Sequence, residues 1–189
     1  MEANRTSSRW TYSEFARLPS GGSTRHEVIA GELVVTPAPT LRHQEAVGKL
    51  MMLLGAFAED QAVGRVFPGP VDVLFAEGDY LEPDLVFVRR GREDLLTERG
   101  IEGPPDLVVE VVSPSTESRD RGVKLERYRH FGVGEYWIVD PDRGTVAVWR
   151  LGAGAEEASV LGTEDVLRWT PVADAETLEL PVERVFGRP

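Results

Sequence analysis

The order of apolar patterns along the chain predicts an α/β or α+β domain, in which helices pack on a mixed central sheet. A helical pattern in residues 40–61 precedes several strand-like runs, a second helical pattern in about 115–131, and further strands. No internal repeat or Pro-, Gly- or Ser-rich linker divides the 189 residues. We therefore expect a single domain over 1–189, with a core in about 25–150 and C-terminal strands in 151–189.

The first elements can be justified from short patterns. Two strand-like runs around Ala30-Gly31 predict a hairpin. Residues 40–61 should form a helix, because their apolar residues recur at helical spacing. His43 lies at the N-terminal end of this apolar stripe. It is either a hydrogen-bonded core histidine or a histidine that reaches a site at the helix start.

Composition narrows the class of protein. No apolar run approaches the roughly 18 residues that a membrane span needs. The opening residues, MEANRTSSRW, lack the apolar stretch of a signal peptide. The absence of cysteine excludes disulfides and thiolate metal sites. We therefore expect a protein of the cytoplasm that has no membrane partner.

The charge of the chain opposes a nucleic-acid partner. The formal net charge is −11, whereas phosphate binding normally requires a basic surface. Residues 117–129 differ from the rest, because five basic residues face three acidic ones there. This segment is either a solvated helix face with salt bridges or a local basic patch.

Two strand-like runs carry acidic residues where an unpaired carboxylate would be costly to bury. Asp84 lies in EPDLVFV, and Glu110 lies in PPDLVVEVVSPS on the strand face of Val108 and Val112. If the strands are neighbours, Asp84 and Glu110 converge. A divalent cation would relieve their repulsion, and oxygen ligands suit Mg²⁺, with Mn²⁺ able to substitute. Asp106, at the second strand's start, should be solvated or paired with a backbone amide.

The second helix supplies a lysine. Lys124, Tyr128 and Phe131 share a helix face, and the aromatic residues should turn that face towards the sheet. Lys124 would then point inward and need a carboxylate partner, for which Glu110 is the candidate. Alternatively, the lysine stem passes Tyr128 and reaches solvent. An Asp, a Glu and a Lys around a metal would form a hydrolytic site for phosphate esters.

The chain resembles a known family in four segments. They are GELVVTPAPTLRHQ, EPDLVFV, PPDLVVEVVSPST and DRGVKLERYRHFGVGEYWIVDP. These segments are similar to the Uma-two family of bacterial restriction endonucleases, within the PD-(D/E)XK nuclease superfamily. The resemblance implies a restriction-endonuclease-like fold and Mg²⁺-dependent cleavage of DNA.

The resemblance also implies roles for individual residues. Asp84 and Glu110 match the two acids of the superfamily, as catalytic residues and metal ligands. The superfamily lysine would stand two residues after the glutamate, where this chain has Val112. In this family the following helix supplies the lysine, and Lys124 is in the matching position. The helix-start histidine matches His43.

The same resemblance points to two further acidic residues. Glu32, in the hairpin, is a possible neighbour of the site. Asp120 also matches the family pattern and is expected to pair with a cation rather than to act in catalysis.

Three functions remain open from the sequence. The first is a metal-dependent DNA endonuclease, expected as a homodimer because cutting both strands requires two sites. The second is a catalytically silent relative that keeps the fold for binding or assembly. The third is a metal-dependent hydrolase of a smaller phosphate ester. The three candidate catalytic residues favour the first function, and the net charge of −11 favours the second.

Overall fold

The protein is built in layers around a six-stranded mixed sheet. The computed structural model describes residues 9–18, 24–154 and 156–186. A second six-stranded sheet and a two-stranded ribbon accompany the central sheet. The predicted α+β class is therefore confirmed, but the helices share the covering of the sheet with other strands.

The strands follow one another along the chain in short runs. The first seven are β1 (Thr24–Ile29), β2 (Glu32–Pro37), β3 (Gly64–Pro68), β4 (Val73–Ala76), β5 (Asp79–Leu81), β6 (Leu85–Arg89) and β7 (Leu96–Thr97). The next seven are β8 (Gly100–Glu102), β9 (Leu107–Val111), β10 (Glu135–Asp140), β11 (Thr145–Trp149), β12 (Ser159–Leu161), β13 (Val166–Trp169) and β14 (Leu178–Pro181).

The helices are α1 (Tyr12–Phe15), α2 (Leu41–Asp60), α3 (Glu117–Arg119) and α4 (Leu125–Phe131). The predicted helix of residues 40–61 is confirmed as α2, which begins after the N-cap residue Thr40. In the described part of the chain, no helix is both long and apolar enough to cross a membrane.

The central sheet has the strand order β12-β11-β10-β9-β6-β3. Strands β9 and β10 run parallel, and their other neighbours are antiparallel, so the sheet is mixed as predicted. Strand β6 pairs with β9 in a register that sets Leu85 opposite Val109. One step further along this register, Asp84 faces Glu110, and both side chains belong to the same face of the sheet.

The two faces of the central sheet are covered differently. Helix α2 packs on one face through residues such as Leu50 and Leu54, and the β13-β14 ribbon joins it there with Trp169. The other face packs against Ile29 and Leu81 of the second sheet and against α4. The C-terminal strands β13 and β14 thus contribute to the core through Leu167, Trp169 and Leu180.

The predicted hairpin around Ala30-Gly31 is confirmed as the β1-β2 pair. Both turn residues have positive φ angles, 53° for Ala30 and 91° for Gly31, as tight hairpin turns require. This turn fixes the register of β1. Side chains alternate between the two faces of a strand, so Arg25 shares one face with Glu27 and Ile29. Val28 belongs to the other face.

The predicted second helix is one helical segment with an irregular centre. Residues Asp120–Lys124 form a π turn between α3 and α4. Asp120 and Lys124 are both buried within this turn. Such turns insert an extra residue into a helix and are frequent at functional sites. We call the whole run, residues 117–131, the α3–α4 segment.

Candidate active site

Strand β1, the start of α2 and the α3–α4 segment surround a cleft of about 620 Å³. Its floor is formed where β6 begins and β9 ends, because Asp84, Glu110 and Val111 all line it. The volume lies in the usual range for small-molecule and substrate sites. Asp84, Glu110, Lys124 and His43 all line this cleft, so the fold brings together four of the residues predicted from the sequence.

Asp84 is held by three donors. Its Oδ1 atom accepts from Arg25 Nη2 at 2.9 Å and contacts His43 Nε2 at 3.2 Å. Its Oδ2 atom accepts from the backbone nitrogen of Val111 at 2.7 Å. Burial raises the pKa of Asp84, but the His43 hydrogen bond, the Arg25 charge and the Val111 amide outweigh burial and lower the pKa overall. Asp84 is therefore a stable carboxylate.

Glu110 lies in a different electrostatic environment. Its Oε1 atom accepts from Lys124 Nζ and from the Tyr128 hydroxyl, each at 2.8 Å. Burial raises the pKa of Glu110 to about 8, against the opposing effect of Lys124. The nearby carboxylates of Asp120, Asp84 and Glu27 add to the increase. Glu110 thus holds a proton more readily than Asp84 does.

Lys124 is buried, as predicted, with 1 % of its surface exposed. Its Nζ atom lies 2.7 Å from Glu27, 2.8 Å from Glu110 and 3.7 Å from Asp120. The alternative of a stem that reaches solvent is therefore wrong. Burial lowers the pKa of Lys124, but the three carboxylates raise it above its ordinary value overall. We call Glu27, Glu110 and Asp120, with Lys124 at their centre, the carboxylate cluster.

Val112 occupies the position where the superfamily pattern has its lysine. The side chain is 6 % exposed and packs in the core between the two sheets. The ammonium group of this site therefore comes from the α3–α4 segment and not from β9. The lysine that contacts Glu110 thus comes from a different element than the position of Val112.

The prediction for Glu32 is wrong in its placement. Glu32 is exposed beside the hairpin turn and does not line the cleft. The acid that β1 brings to the site is Glu27, which is 1 % exposed and also accepts from the backbone nitrogen of Glu82 at 3.0 Å. The sequence shows that Glu27 shares a strand face with the apolar residue Ile29, but this local pattern does not show that the face lies on the cleft.

His43 fits both of its predicted readings, because it is a buried, hydrogen-bonded histidine and also lines the cleft from the helix start. It is 7 % exposed, and its ring reaches Asp84 from the first turn of α2. Arg25 was not predicted, although it is two residues before Glu27 on the same strand face. Its guanidinium contacts Asp84 at 2.9 Å and Glu82 at 3.6 Å.

The remaining two acids behave as expected from the sequence. Asp120 is an ion-pair partner of Lys124, and burial raises its pKa. Asp106 lies outside the cleft and accepts from the backbone nitrogen of Arg89 at 2.9 Å and from Arg92 at 2.8 Å. The predicted pairing of Asp106 with a backbone amide is confirmed.

The charge of the cleft suits a divalent cation. Five carboxyl groups line it against three cationic side chains, so its formal charge is −2 when every carboxyl group is ionised and the histidines are neutral. In the described residues, no group of three His, Cys, Asp or Glu side chains is arranged to hold a metal ion. If a cation binds, Asp84 and Glu110 could supply only two oxygen ligands, and water and substrate oxygens would have to supply the others.

Comparisons with known proteins agree with this architecture. Residues 12–183 match the model of the Uma2 family, described as "Putative restriction endonuclease", so the chain belongs to that family. The resemblance drawn from the sequence is thus confirmed. No curated protein matches the chain.

The fold is also found in solved structures. One of these is the crystal structure of "a putative nuclease belonging to DUF820" from Anabaena variabilis ATCC 29413. The two chains are 21 % identical, and the match covers 94 % of this chain and 97 % of the other with a TM-score of 0.78. At this identity the match shows the fold alone.

The raised pKa of Glu110 predicts a pH dependence of stability in metal-free protein. An unfolded glutamate loses its proton near pH 4.5, whereas folded Glu110 keeps it until about pH 8. The folded state binds more protons across this window, so its stability should fall as pH rises. Glu110→Gln should remove that contribution, which amounts to at most about 1.4 kcal/mol per pH unit.

Denaturant unfolding in EDTA from pH 5 to pH 8 measures this effect. The free energy of unfolding of Glu110→Gln, relative to wild type, should rise steadily with pH. Glu32→Gln is the matched control, because the same change at an exposed glutamate should give a flat difference. A flat difference for Glu110→Gln as well would contradict the raised pKa.

Proposed function

We propose that this protein is a metal-dependent endonuclease that hydrolyses DNA phosphodiester bonds. The observation that carries the proposal is the meeting of Asp84, Glu110 and Lys124 at the floor of the cleft. Membership of the Uma2 family supports the nuclease class. The opposite pKa shifts of the two acids support a site built for chemistry, because such shifts concentrate at functional sites.

The metal would be held by Asp84 and Glu110. Bound Mg²⁺ would make a coordinated water more acidic and take up negative charge on the phosphate. Arg25, His43 and the Val111 amide fix the Asp84 carboxylate in one orientation. Asp84 would thus be positioned before substrate or metal arrives, which reduces the cost of reorganisation in the reaction.

Lys124 would act on the same phosphate group. Its ammonium group already contacts Glu110 at 2.8 Å, so it lies beside the proposed metal ligand. A positive charge there would stabilise the negative charge that develops on the phosphate oxygens in the transition state. The carboxylate cluster keeps the lysine protonated, so it would serve as a positive charge and hydrogen-bond donor rather than as a base.

DNA as the substrate must be reconciled with a net charge of −11. The cleft reaches a formal charge of zero once a divalent cation binds, so metal binding would remove the local repulsion of a phosphate group. A homodimer in the cytoplasm would present two such sites, which is what cutting both DNA strands requires.

A second candidate function rests on a specific observation. Asp84 Oδ1 already contacts two protein donors, Arg25 and His43. If these contacts persist in solution, the carboxylate is satisfied without a metal. The chain would then be a catalytically silent binding or assembly module that keeps the nuclease fold.

The deciding experiment is metal-dependent cleavage of DNA. Wild-type protein should nick or cut supercoiled plasmid with Mg²⁺ or Mn²⁺ and should lose this activity in EDTA. Asp84→Asn should reduce the rate by about a hundredfold or more, because a neutral amide binds the cation poorly.

Glu32→Gln serves as the control for contaminating nuclease and should cut like wild type. Equal cutting by Asp84→Asn and wild type would place the activity elsewhere. Absence of cutting by wild type with either metal would favour the binding module.

The carboxylate cluster predicts a linked effect of Lys124 on stability and rate. Lys124→Met leaves three buried carboxylates without their shared cation, which should cost about 3–5 kcal/mol of stability in EDTA. Mg²⁺ should raise the melting temperature of this variant more than that of wild type, because the cation replaces the lost charge.

Single-turnover cleavage at saturating Mg²⁺ tests whether Lys124 acts in catalysis in addition to stabilising the fold. The rate of Lys124→Met should fall by about a hundredfold. The double variant Glu27→Gln/Lys124→Met loses one charge of each sign. It should be more stable than Lys124→Met but should cleave DNA no faster. A rate for Lys124→Met within about threefold of wild type would rule out a catalytic role for the lysine.

A further inference from the structure

Arg119 differs from the other cationic side chains that line the cleft. Arg25 pairs with Asp84 and Glu82, and Lys124 pairs with the carboxylate cluster. Among the described residues, no carboxylate forms a salt bridge with Arg119. Its Nη2 atom donates instead to the hydroxyl of Thr36 at 2.9 Å. A half-buried guanidinium in a strongly acidic protein is thus left available for an anion.

A second observation concerns an unpaired donor. In the described part of the chain, two buried side-chain atoms have no hydrogen-bond partner, and they are Arg119 Nε and Asp120 Oδ1. Buried donors are satisfied in the great majority of native structures, so an orphan needs a reason. Both atoms belong to residues that line the cleft. Their position suggests that a group from outside the chain completes the bonding of Arg119.

The surroundings of Arg119 offer neutral donors. Ser113, Ser115 and Thr116 line the cleft on the loop that leads into α3. Their hydroxyls lie close together, with 3.0 Å between the Oγ atoms of Ser113 and Ser115. A guanidinium fork beside hydroxyl groups matches the acceptor-only oxygens of a phosphate, which Arg can bind through two parallel hydrogen bonds.

The position of Arg119 relative to the proposed metal ligands indicates which phosphate of a DNA strand it would bind. Its neighbour Asp120 contacts Lys124, which contacts Glu110. Arg119 therefore lies beside the floor of the cleft without pairing with either Asp84 or Glu110. A phosphate bound to Arg119 would therefore be a neighbour of the scissile phosphate along the strand, not the scissile phosphate itself.

We propose that Arg119, oriented by Thr36, binds a DNA backbone phosphate adjacent to the scissile phosphate. The inference rests on the proposed function for the identity of its ligand. Contacts of this kind carry no sequence information but fix the register and orientation of the strand. Arg119 is thereby a substrate-binding residue, and Thr36 is a positioning residue.

The test measures binding apart from cleavage. Fluorescence anisotropy would follow a labelled DNA duplex with Asp84→Asn protein in Mg²⁺, a background that cannot cut and has one negative charge fewer. Adding Arg119→Met should weaken binding by about tenfold. The slope of log affinity against log salt should become shallower by about 0.9, because one phosphate contact is lost.

Three further variants keep the result interpretable. Arg119→Lys retains the charge, so it should keep the salt slope while losing part of the affinity. Thr36→Val should weaken binding without changing the slope, since it removes only the hydroxyl that orients the guanidinium. Arg121→Met is matched for net charge and should bind within about twofold of the background, because Arg121 pairs with Glu117 and Asp140.

A second experiment tests whether the ligand of Arg119 is DNA or free phosphate. Inorganic phosphate would be titrated at constant ionic strength, with its binding followed by calorimetry. If Arg119→Met abolished phosphate binding but left DNA affinity and salt slope unchanged, the ligand would be a free phosphate and the DNA assignment would be overturned.

The outcomes separate this inference from the proposed function. Weaker DNA binding with a shallower slope for Arg119→Met, in a protein that never cuts DNA, would support backbone-phosphate binding by Arg119 but reject the endonuclease and, with it, the position beside a scissile phosphate. Metal-dependent cutting by wild type, with Arg119→Met unchanged in affinity, slope and rate, would reject the subsite alone. Failure of both the wild-type and the Asp84→Asn protein to bind DNA would overturn the subsite.

Discussion

The buried ammonium group of Lys124 is the interaction on which the rest of the structure depends. It joins Glu27 from β1, Glu110 from β9 and Asp120 from the π turn, so one charge connects both sheets and the α3–α4 segment. Three carboxylates could not be buried so close together without a shared cation. The site is thus part of the connection between the two sheets, and its geometry follows from the packing of the fold.

The same arrangement leaves the cleft short of positive charge. Arg25, Lys124 and Arg119 face five carboxylates, and the deficit equals the charge of one divalent cation. A protein of net charge −11 would otherwise repel a phosphate backbone. In this account the cation serves chemistry and also admits the substrate, so metal binding and DNA binding should be coupled.

Local patterns explain how much of the site could be predicted from the sequence. The alternation of β9 placed Glu110 on a buried face, and helical spacing turned Lys124 inward. Glu27 and Arg25 escaped notice because their roles depend on the second sheet, whose pairing with the central layer is a long-range contact. Glu32 was misplaced because nothing local shows that β1 faces the cleft while the start of β2 faces solvent. The π turn at Asp120–Lys124 likewise depends on tertiary contacts.

The central claim is that Asp84 and Glu110 together bind a divalent cation, and calorimetric titration of metal into the free protein tests it most directly. Wild type and the Glu32→Gln control should bind Mg²⁺, and Mn²⁺ more tightly. Binding near pH 7 should release protons, because the cation favours the ionised form of Glu110. The Asp84→Asn/Glu110→Gln variant should show no such binding, whereas equal affinity in that variant would contradict the account.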